Sequence, residues 1–465
     1  MNAGHARATR GEGQRTVVNE ATTSLLARYA VDLDFRNLPG AVRREVRRLF
    51  LNWVGCALGG STQEAIAKAI AAVREFAGPA EVGILGRSER LDALNATLIN
   101  CMSSAVLTFD DTHLPSITHP SGPVVSTALA VAERKPVPGS EFVAAVALGI
   151  EASCRMGAML TVPPARSNTS LFMTGIAGTI GSAIAAGKLM KLDQNQLQQA
   201  IGLAATQSAG LREMHGTMAS SFVCGNAARS GLLAATFAKH GFTSGMCSIE
   251  GPKGYGNVFG NPACTSMVSE GLGSRYELLS LTYKPYPCGV AIHPVIDAAR
   301  QILDQGPLHP DEISTCEISV HPIGLILTAR LHPTSALEAQ VSIPHWIAAT
   351  LLHGTAGLSE ATEECVHDPA IAALRARVKL RGDERIPPTG AAIRIVMADG
   401  RILETSLEHC RGSVERPMSE GDLEEKFVGQ AMPIIGPKNV SRVIEMCRAV
   451  EAMEDVGAIA RVCAR

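Results

Sequence analysis

Residues 175–190 read GIAGTIGSAIAAGKLM, and this stretch decides what kind of fold the chain can form. Its isoleucine and alanine residues recur with helical spacing, and Gly175, Gly178 and Gly181 lie three residues apart on neighbouring turns. Small residues on one helix face let another helix pack closely, so we expect a close-packed helix here, with contact to a ligand as the alternative. The wider run at 171–186 is interrupted by polar residues and is short for a transmembrane span of about 20 apolar residues.

The sequence on both sides of this stretch predicts more helices, from residue 21 to about residue 242. Aromatic residues make up only 4% of the chain, whereas glycine and alanine are plentiful, which favours helices whose backbones approach closely. Asp193 is a predicted helix N-cap, and Gly241 is a predicted helix stop. The predicted helices cover residues 41–58, 65–76, 141–159, 175–190, 193–208 and 227–239.

A different pattern begins after Lys284, where prolines become frequent. Asp399-Gly400 lies between two alternating segments and is typical of the type I′ turn of a β-hairpin. We predict strands over residues 315–320, 391–397 and 401–407, and helices over residues 343–352, 369–378, 423–427 and 440–453.

The sequence therefore predicts a mainly α fold with an inserted α+β domain. Residues 1–19 are expected to form a disordered tail and residues 20–284 an all-helical bundle domain. Residues 285–422 would form the smaller α+β domain, and residues 423–465 would return as helices to the helical domain.

Composition narrows the classes of function. The chain has 465 residues, of which 46% are hydrophobic and 18% charged, and its net charge is −2, so no overall basic field favours nucleic acid. Its 12 cysteines form no C-x-x-C pair, which argues against a disulfide framework, a zinc site and an iron–sulfur cluster. With no apolar signal segment visible near the N-terminus, we expect a cytoplasmic protein that binds neither membrane nor nucleic acid.

Three polar clusters could carry chemistry. In the first, Asp110 and Asp111 precede His119, which Pro120 holds in a turn before a helix that Ser121 could cap. Such a turn suits a carboxylate ligand, although a purely structural turn is an equal alternative. A metal site built from Asp110, Asp111, His113 and His119 is conceivable, but nothing in the spacing requires one.

The second cluster, residues 210–218, contains Arg212, which could clamp a carboxylate or simply pair with Glu213. Ser220 and Ser221 follow this cluster, just before a helix predicted to open near Gly225. In the third cluster, prolines flank Lys284 at the predicted domain boundary, where a lysine could bind a carboxylate or move a proton. The glycine-rich loop at 251–256 follows no predicted strand and fits no nucleotide-binding pattern.

Taken together, these motifs resemble the MmgE/PrpD family over nearly the whole chain. The resemblance rests on FDDT at 109–112, THPS at 118–121, GNAARSG at 225–231, KPYPC at 284–288 with His293-Pro294, and VSIP at 341–344. It implies a helical bundle domain, a smaller chorismate-mutase-like α+β domain, an active site in the cleft between them and a homodimer. It also implies activity on small polycarboxylates without a nucleotide or redox cofactor, with Thr112, His119 and Lys284 at positions that line the family's site.

The chain departs from the common family pattern at several of these positions. Thr108 stands where the family's decarboxylases have Asp, Ser220 where Lys is usual, Val223 where His often follows, and His345 where Tyr is expected. LFMTG at 171–175 replaces the common FHPTG, which makes the site wall at Phe172 more apolar. These differences predict a substrate with an apolar arm or with fewer acid groups.

Our first hypothesis is a cofactor-independent lyase of the hydratase or dehydratase type, acting on a small polycarboxylic acid. His119 would be the general acid or base, Lys284 and Arg212 the carboxylate anchors, and His345 or His215 a second proton carrier. An epimerase or isomerase with a base on each face of the carbon is the second hypothesis, and a non-catalytic carboxylate-binding protein the third. The predicted substrate-binding residues are Asp110, Asp111, Thr112, Arg212, Ser220, Tyr286 and Phe172.

Overall fold

The computed structural model describes residues 21–165 and 168–465, over which the chain is mostly helical with small β-sheets. The predicted tail of residues 1–19 lies outside the described residues. The first part of the chain contains the helices Thr22–Asp32 (α1), Gly40–Gly60 (α2), Glu64–Arg74 (α3), Ala93–Ala105 (α4), Ser121–Arg134 (α5), Gly139–Thr161 (α6), Met173–Leu189 (α7), Gln194–Ala205 (α8), Ala219–Lys239 (α9) and Tyr255–Phe259 (α10). It also contains the short strands Val82–Gly83 (β1), Arg90–Leu91 (β2), Asp111–His113 (β3) and Leu281–Tyr283 (β4).

Helix α7 packs between α6 and α9, and glycines make this close approach possible. A Cβ atom at Gly181 of α7 would overlap the carbonyl oxygen of Gly149 on α6. A Cβ atom at Gly231 of α9 would overlap the side chain of Ser182 on α7. The close packing predicted for residues 175–190 is therefore confirmed.

Helix α6 runs through the core of the helical part. Among the described residues, it is the one helix that is long and apolar enough to cross a membrane by length and composition. Of its most apolar window, 94% is buried inside the protein, and a buried core helix has this composition for that reason.

Two predictions at the starts of helices are wrong. Helix α9 begins at Ala219 rather than near Gly225. Gly225 lies inside the helix, where the absence of a side chain leaves room for the Leu98 carbonyl and Met102 of α4. Ser121 does not cap α5; its hydroxyl donates instead to a carboxylate oxygen of Asp111. By contrast, the N-cap at Asp193 is confirmed, since its side chain accepts from the Gln196 amide in a capping box.

The second part of the chain combines a four-stranded sheet with helices. The strands are Ile313–Val320 (β5), Val378–Gly382 (β6), Ala391–Met397 (β7) and Ile402–Leu407 (β8), in the order β6-β5-β7-β8, with only the β5–β6 pair parallel. The helices are His293–Asp304 (α11), Pro322–Thr328 (α12), Ala336–Ala339 (α13), Ile343–His353 (α14), Glu363–His367 (α15) and Pro369–Arg375 (α16). Helices α11 and α14 share a second hydrophobic core with the inner face of the sheet.

Two sequence predictions fail in this part. The helix predicted over residues 369–378 ends at Arg375, and Val378 begins β6, whose five residues are too few to show a clear strand period so soon after a helix. The hairpin is present, but only Gly400 of its turn has a positive φ, of 88°. Asp399 does not, so the turn is not of type I′.

The C-terminal helices pack on the helical part. Helix Glu420–Arg448 (α17) is kinked at Gly436, where φ is 72°, and Gly457–Cys463 (α18) follows it. Phe427 of α17 lies against Gly55 of α2, and both helices contribute to the first hydrophobic core.

Candidate active site

A two-stranded sheet brings the first and third polar clusters together. Strand β3 pairs antiparallel with β4, so that Thr112 lies opposite Thr282, and the amide of Lys284 donates to the Asp110 carbonyl over 3.3 Å. The sequence did not predict this pairing, because each strand is only three residues long.

Lys284 and Asp110 form a buried ion pair at the end of this sheet. The Lys284 ammonium donates to Asp110 Oδ1 over 2.6 Å, and the two side chains are 1% and 6% exposed. Burial disfavours ionisation of Asp110, but the charges of His119 and Lys284 outweigh that effect and lower the pKa of the carboxyl. Much of the Lys284 charge is therefore compensated inside the protein.

His119 lies beside this pair, and its hydrogen bonds fix which ring nitrogen is available. Nδ1 is 2.9 Å from the Asp111 carbonyl oxygen and 3.1 Å from Thr112 Oγ1. Since a carbonyl can only accept, Nδ1 carries the proton and Nε2 keeps its lone pair. Burial, reinforced by the charge of Lys284, lowers the pKa of His119 to about 4 against the opposing effect of Asp110, so the ring is neutral at pH 7.

Arg212 supplies a cation without a carboxylate partner among the described residues. Its Nε donates to the Thr169 carbonyl over 2.6 Å, and its Nη2 donates to the Leu171 carbonyl over 3.2 Å. These backbone carbonyls, and not Glu213, are the hydrogen-bond partners of Arg212. Burial lowers the pKa of Arg212 to about 10, which still leaves the side chain charged at neutral pH.

His215 and His119 both pack against the ring of Phe172. The His215 and Phe172 ring centroids are 4.8 Å apart, and the His119 and Phe172 centroids are 6.4 Å apart, both with edge-on geometry. Burial is the main reason that the pKa of His215 falls to about 3. Two neutral imidazoles therefore flank one aromatic ring.

These side chains line a partly open cavity between the helical and α+β parts. The predicted site residues that the structure brings together on its wall are Asp110, Thr112, His119, Phe172, Arg212, His215, Ser220 and Lys284.

The other three predicted site residues do not line this cavity. Asp111 is buried behind it and bonded to Ser121, and burial together with the charge of Asp110 raises the pKa of Asp111 to about 6. The Tyr286 hydroxyl donates to Asp297 over 2.5 Å. His345 is fully buried on α14, where its Nε2 donates to the Glu360 carbonyl over 2.9 Å, so its assignment as a proton carrier is corrected.

The metal site considered for the first cluster is not assembled. The ring of His113 is fully buried, with Nδ1 2.7 Å from the Ser116 hydroxyl and Nε2 directed to Glu277, while Asp110 is paired with Lys284. Across the described ranges, no group of three or more His, Cys, Asp or Glu side chains could hold a metal ion.

Sequence reasoning missed two residues that hold the cavity wall. Gln340 joins the two parts of the chain: its amide nitrogen donates to the Val106 carbonyl over 2.9 Å, and its amide oxygen accepts from Thr108 over 2.6 Å. Lys426 of α17 donates over 2.6 Å to the carbonyl of Phe109, next to Asp110, and burial lowers the pKa of Lys426 to about 8. The position of Gln340 just before the VSIP motif was a usable signal, whereas a lone lysine on an exposed-looking helix was not.

Comparison with known proteins matches the whole architecture to one family. The family model described as "MmgE/PrpD N-terminal domain" matches residues 24–266, and "MmgE/PrpD C-terminal domain" matches residues 286–452.

The similar proteins include "Cis-aconitate decarboxylase" of Mus musculus, 25% identical over 462 residues, which cover 95% of this chain and 93% of that protein. The protein of the same name from Homo sapiens is 25% identical over 437 residues, covering 90% and 89% of the two chains. The one from Aspergillus terreus is 23% identical over 464 residues, covering 93% and 94%. With family models matched on both parts of the chain, this protein belongs to the MmgE/PrpD family.

Proposed function

We propose that this chain is a cofactor-independent lyase that moves a proton at the carbon beside a carboxylate of a small polycarboxylic acid. The observation that carries the proposal is the unprotonated Nε2 of His119, which shares one cavity with the cations of Lys284 and Arg212. Family membership and relatives named cis-aconitate decarboxylase support the same class of substrate.

Arg212 suits the role of carboxylate anchor. Its guanidinium is held by two backbone carbonyls, so its position is fixed before any ligand binds. A planar guanidinium binds a carboxylate through two parallel hydrogen bonds, which also sets the orientation of the substrate. A fixed orientation is what places one particular C–H bond at the base.

His119 suits the role of base once a substrate is bound. A carboxylate in the cavity would offset the positive charge of Lys284 and Arg212, and its own negative charge would favour the imidazolium form. Both effects raise the pKa of His119 from about 4 towards neutrality, where proton transfer is most effective. Lys284 would meanwhile stabilise the negative charge that develops on the carboxylate as the proton leaves.

In a dehydration, the C–H proton passes to His119, a C=C bond forms, and the hydroxyl on the neighbouring carbon leaves as water after receiving a proton. His215 suits the role of that second proton carrier in its imidazolium form, because it lines the same cavity and a bound carboxylate would raise its pKa from about 3. A decarboxylation would use the same groups: carbon dioxide leaves, and a protonated imidazole gives a proton to the carbon.

A second candidate function, epimerisation or isomerisation, is favoured by the two imidazoles that line the same cavity next to Phe172. A base on each side of one carbon could remove a proton from one face and return a proton to the other.

On the family resemblance, we further propose that residues 285–422 form a chorismate-mutase-like domain and that the chain works as a homodimer in the cytoplasm.

Incubation with a panel of hydroxylated and unsaturated di- and tricarboxylic acids tests the proposal, with products identified by mass spectrometry and by the ultraviolet absorbance of a new C=C bond. The expected result is loss of water or carbon dioxide from at least one acid. Exchange of one carbon-bound proton with solvent, without loss of either molecule, would favour the isomerase. Binding without any turnover or exchange would contradict both functions and favour a carboxylate-binding protein.

A further inference from the structure

The part of the cavity wall that the α+β part contributes carries no ionisable side chain. Among the described residues that line the cavity, those that follow Lys284 in the chain are all apolar or neutral: Gly289, Val290, Ala291, Leu327, Thr328, Gln340 and Val341. The polar side chains in this set are also occupied, since Thr328 donates to Gly324 and Gln340 is bonded to Val106 and Thr108. This wall therefore offers an apolar surface to a ligand.

The opposite wall has a limited supply of positive charge. The cation of Lys284 is paired with Asp110, which leaves Arg212 as the uncompensated charge, since His119 and His215 are both neutral at pH 7. When His119 takes up a proton during the reaction, this wall carries two net positive charges. That number matches two substrate carboxylates, one at Arg212 and one near Lys284 and His119.

A third carboxylate would face the neutral wall. Placed against Leu327 or Val341, it would lose its hydration without gaining a cation, which is strongly unfavourable. Arg330 lines an adjoining cleft that shares Leu327 and Val341 with this cavity, but its guanidinium lies 3.5 Å from Glu338, which already offsets its charge.

We propose that the substrate is a dicarboxylic acid with an apolar substituent, and that this substituent lies against Leu327 and Val341. The proposal rests on the proposed function in taking this cavity as the substrate site, and it narrows the substrate class within it. Phe172, on the opposite wall, adds a second apolar surface next to the two imidazoles.

A ladder of saturated acids tests the proposal without turnover, because these acids carry neither a hydroxyl group nor a double bond. Calorimetry on the wild-type protein would compare succinate, methylsuccinate, ethylsuccinate and propylsuccinate with the tricarboxylate tricarballylate. We expect the dissociation constant to fall about fourfold with each added methylene. We also expect tricarballylate to bind at least about tenfold more weakly than methylsuccinate, because its third carboxylate would have no cation to pair with.

A charge introduced into the neutral wall should reverse this order. Leu327→Arg is expected to strengthen binding of tricarballylate at least about tenfold and to weaken binding of propylsuccinate. Ile402→Arg adds the same charge to the exposed outer strand β8 and should leave the wild-type order unchanged. Thermal unfolding of both variants checks that they fold. If Leu327→Arg does not fold, the series of acids measured on the wild-type protein still tests the proposal.

The outcomes separate the two proposals. If tricarballylate binds wild-type protein as tightly as the alkyl acids do, or if none of the acids binds, the inferred substrate class is wrong. If the alkyl acids bind in the expected order but the corresponding hydroxy acids are neither dehydrated nor decarboxylated, the substrate class stands and the lyase function fails.

Discussion

The two walls of the cavity differ in how they are held and in what they can do. On the helical side, Asp110, His119 and Lys284 are fixed by charged and backbone hydrogen bonds within one β3–β4 unit. On the α+β side the wall is neutral, and Gln340 ties it to the helical part through two neutral hydrogen bonds. The comparison indicates that the ionisable side chains of the cavity lie on the helical side. The α+β side closes the cavity and limits which ligands fit.

The largest expected effect comes from breaking the ion pair of the helical wall. Lys284→Met would leave Asp110 buried without its cation, which costs about 3–5 kcal/mol of the free energy of unfolding. Chemical denaturation measures this loss, and turnover should disappear with it.

The double variant Lys284→Met with Asp110→Asn is the matched control. With the carboxylate removed, most of the lost stability should return, but turnover should not, because the cation is still missing. Full stability in the single variant would contradict the assignment of a buried, coupled pair.

The second prediction uses the pH dependence of the helical wall. His119 has a pKa of about 4 in the folded protein, against about 6.5 when unfolded, so between these values the unfolded state binds more protons. Stability contributed by the neutral ring is therefore fully present above about pH 6.5 and is lost as the pH falls to about 4. In thermal unfolding across this window, stability should fall less steeply with decreasing pH for His119→Gln than for the wild-type protein. The difference in slope corresponds to up to about one proton per molecule.

His240 provides the comparison for this measurement, because it is an exposed histidine at the end of α9. His240→Gln should keep the wild-type slope of stability against pH. An identical slope for His119→Gln and wild-type protein would mean that burial does not lower the pKa of His119.

A smaller effect is expected at the attachment of the neutral wall. Gln340→Leu removes the bonds to Val106 and Thr108, at a cost of about 1–2 kcal/mol. Since no charged group is lost, steady-state kinetics should show a raised KM with kcat changed less. Gln305→Leu, at an exposed glutamine, should change neither constant, and an unchanged KM in Gln340→Leu would show that the two parts are not coupled through this side chain.

The smallest predicted effect is behind the helical wall. Lys426→Met removes the bonds to the Phe109 carbonyl and to Asn52, but it also removes a desolvated cation, so the net loss of stability should be about 1 kcal/mol. Turnover should fall severalfold through displacement of the neighbouring Asp110. Lys68→Met, at an exposed lysine, is the control, and equal turnover in both variants would remove Lys426 from the positioning of the site.

The parts of the fold that the sequence predicted are those that repeat a pattern over many residues. Helix α7 and its close packing follow from the glycine spacing, and the β7–β8 hairpin follows from alternation on both sides of Gly400. The β3–β4 pairing could not be predicted, because three-residue strands show no period and their partners are far apart in the chain. The edge strand β6 was missed for a related reason, since its five residues are too few to establish a period and they closely follow a helix.

The candidate site could be predicted as a set of residues but not as a geometry. His119 and Lys284 were singled out separately, yet only the structure shows that both lie within 4.0 Å of the same oxygen of Asp110, at 3.7 and 2.6 Å. His345 replaces the Tyr of the family pattern, but the direction of its ring depends on the Glu360 loop, which the sequence around α14 does not reveal. Side-chain direction, rather than residue identity, was the information missing from the sequence.

The most direct test of the central claim, that His119 moves a proton at the carbon beside a carboxylate, is solvent deuterium incorporation at that carbon. With the best substrate of the panel in deuterated water, reversal of the proton abstraction, or protonation of the carbon after decarboxylation, should place deuterium on that carbon. Mass spectrometry of the recovered substrate and of the product should show this for wild-type protein and for His240→Gln. For folded His119→Gln, we expect the rate to fall by about 10²–10⁴-fold. Incorporation at the wild-type rate in His119→Gln would contradict the assignment of this imidazole as the base.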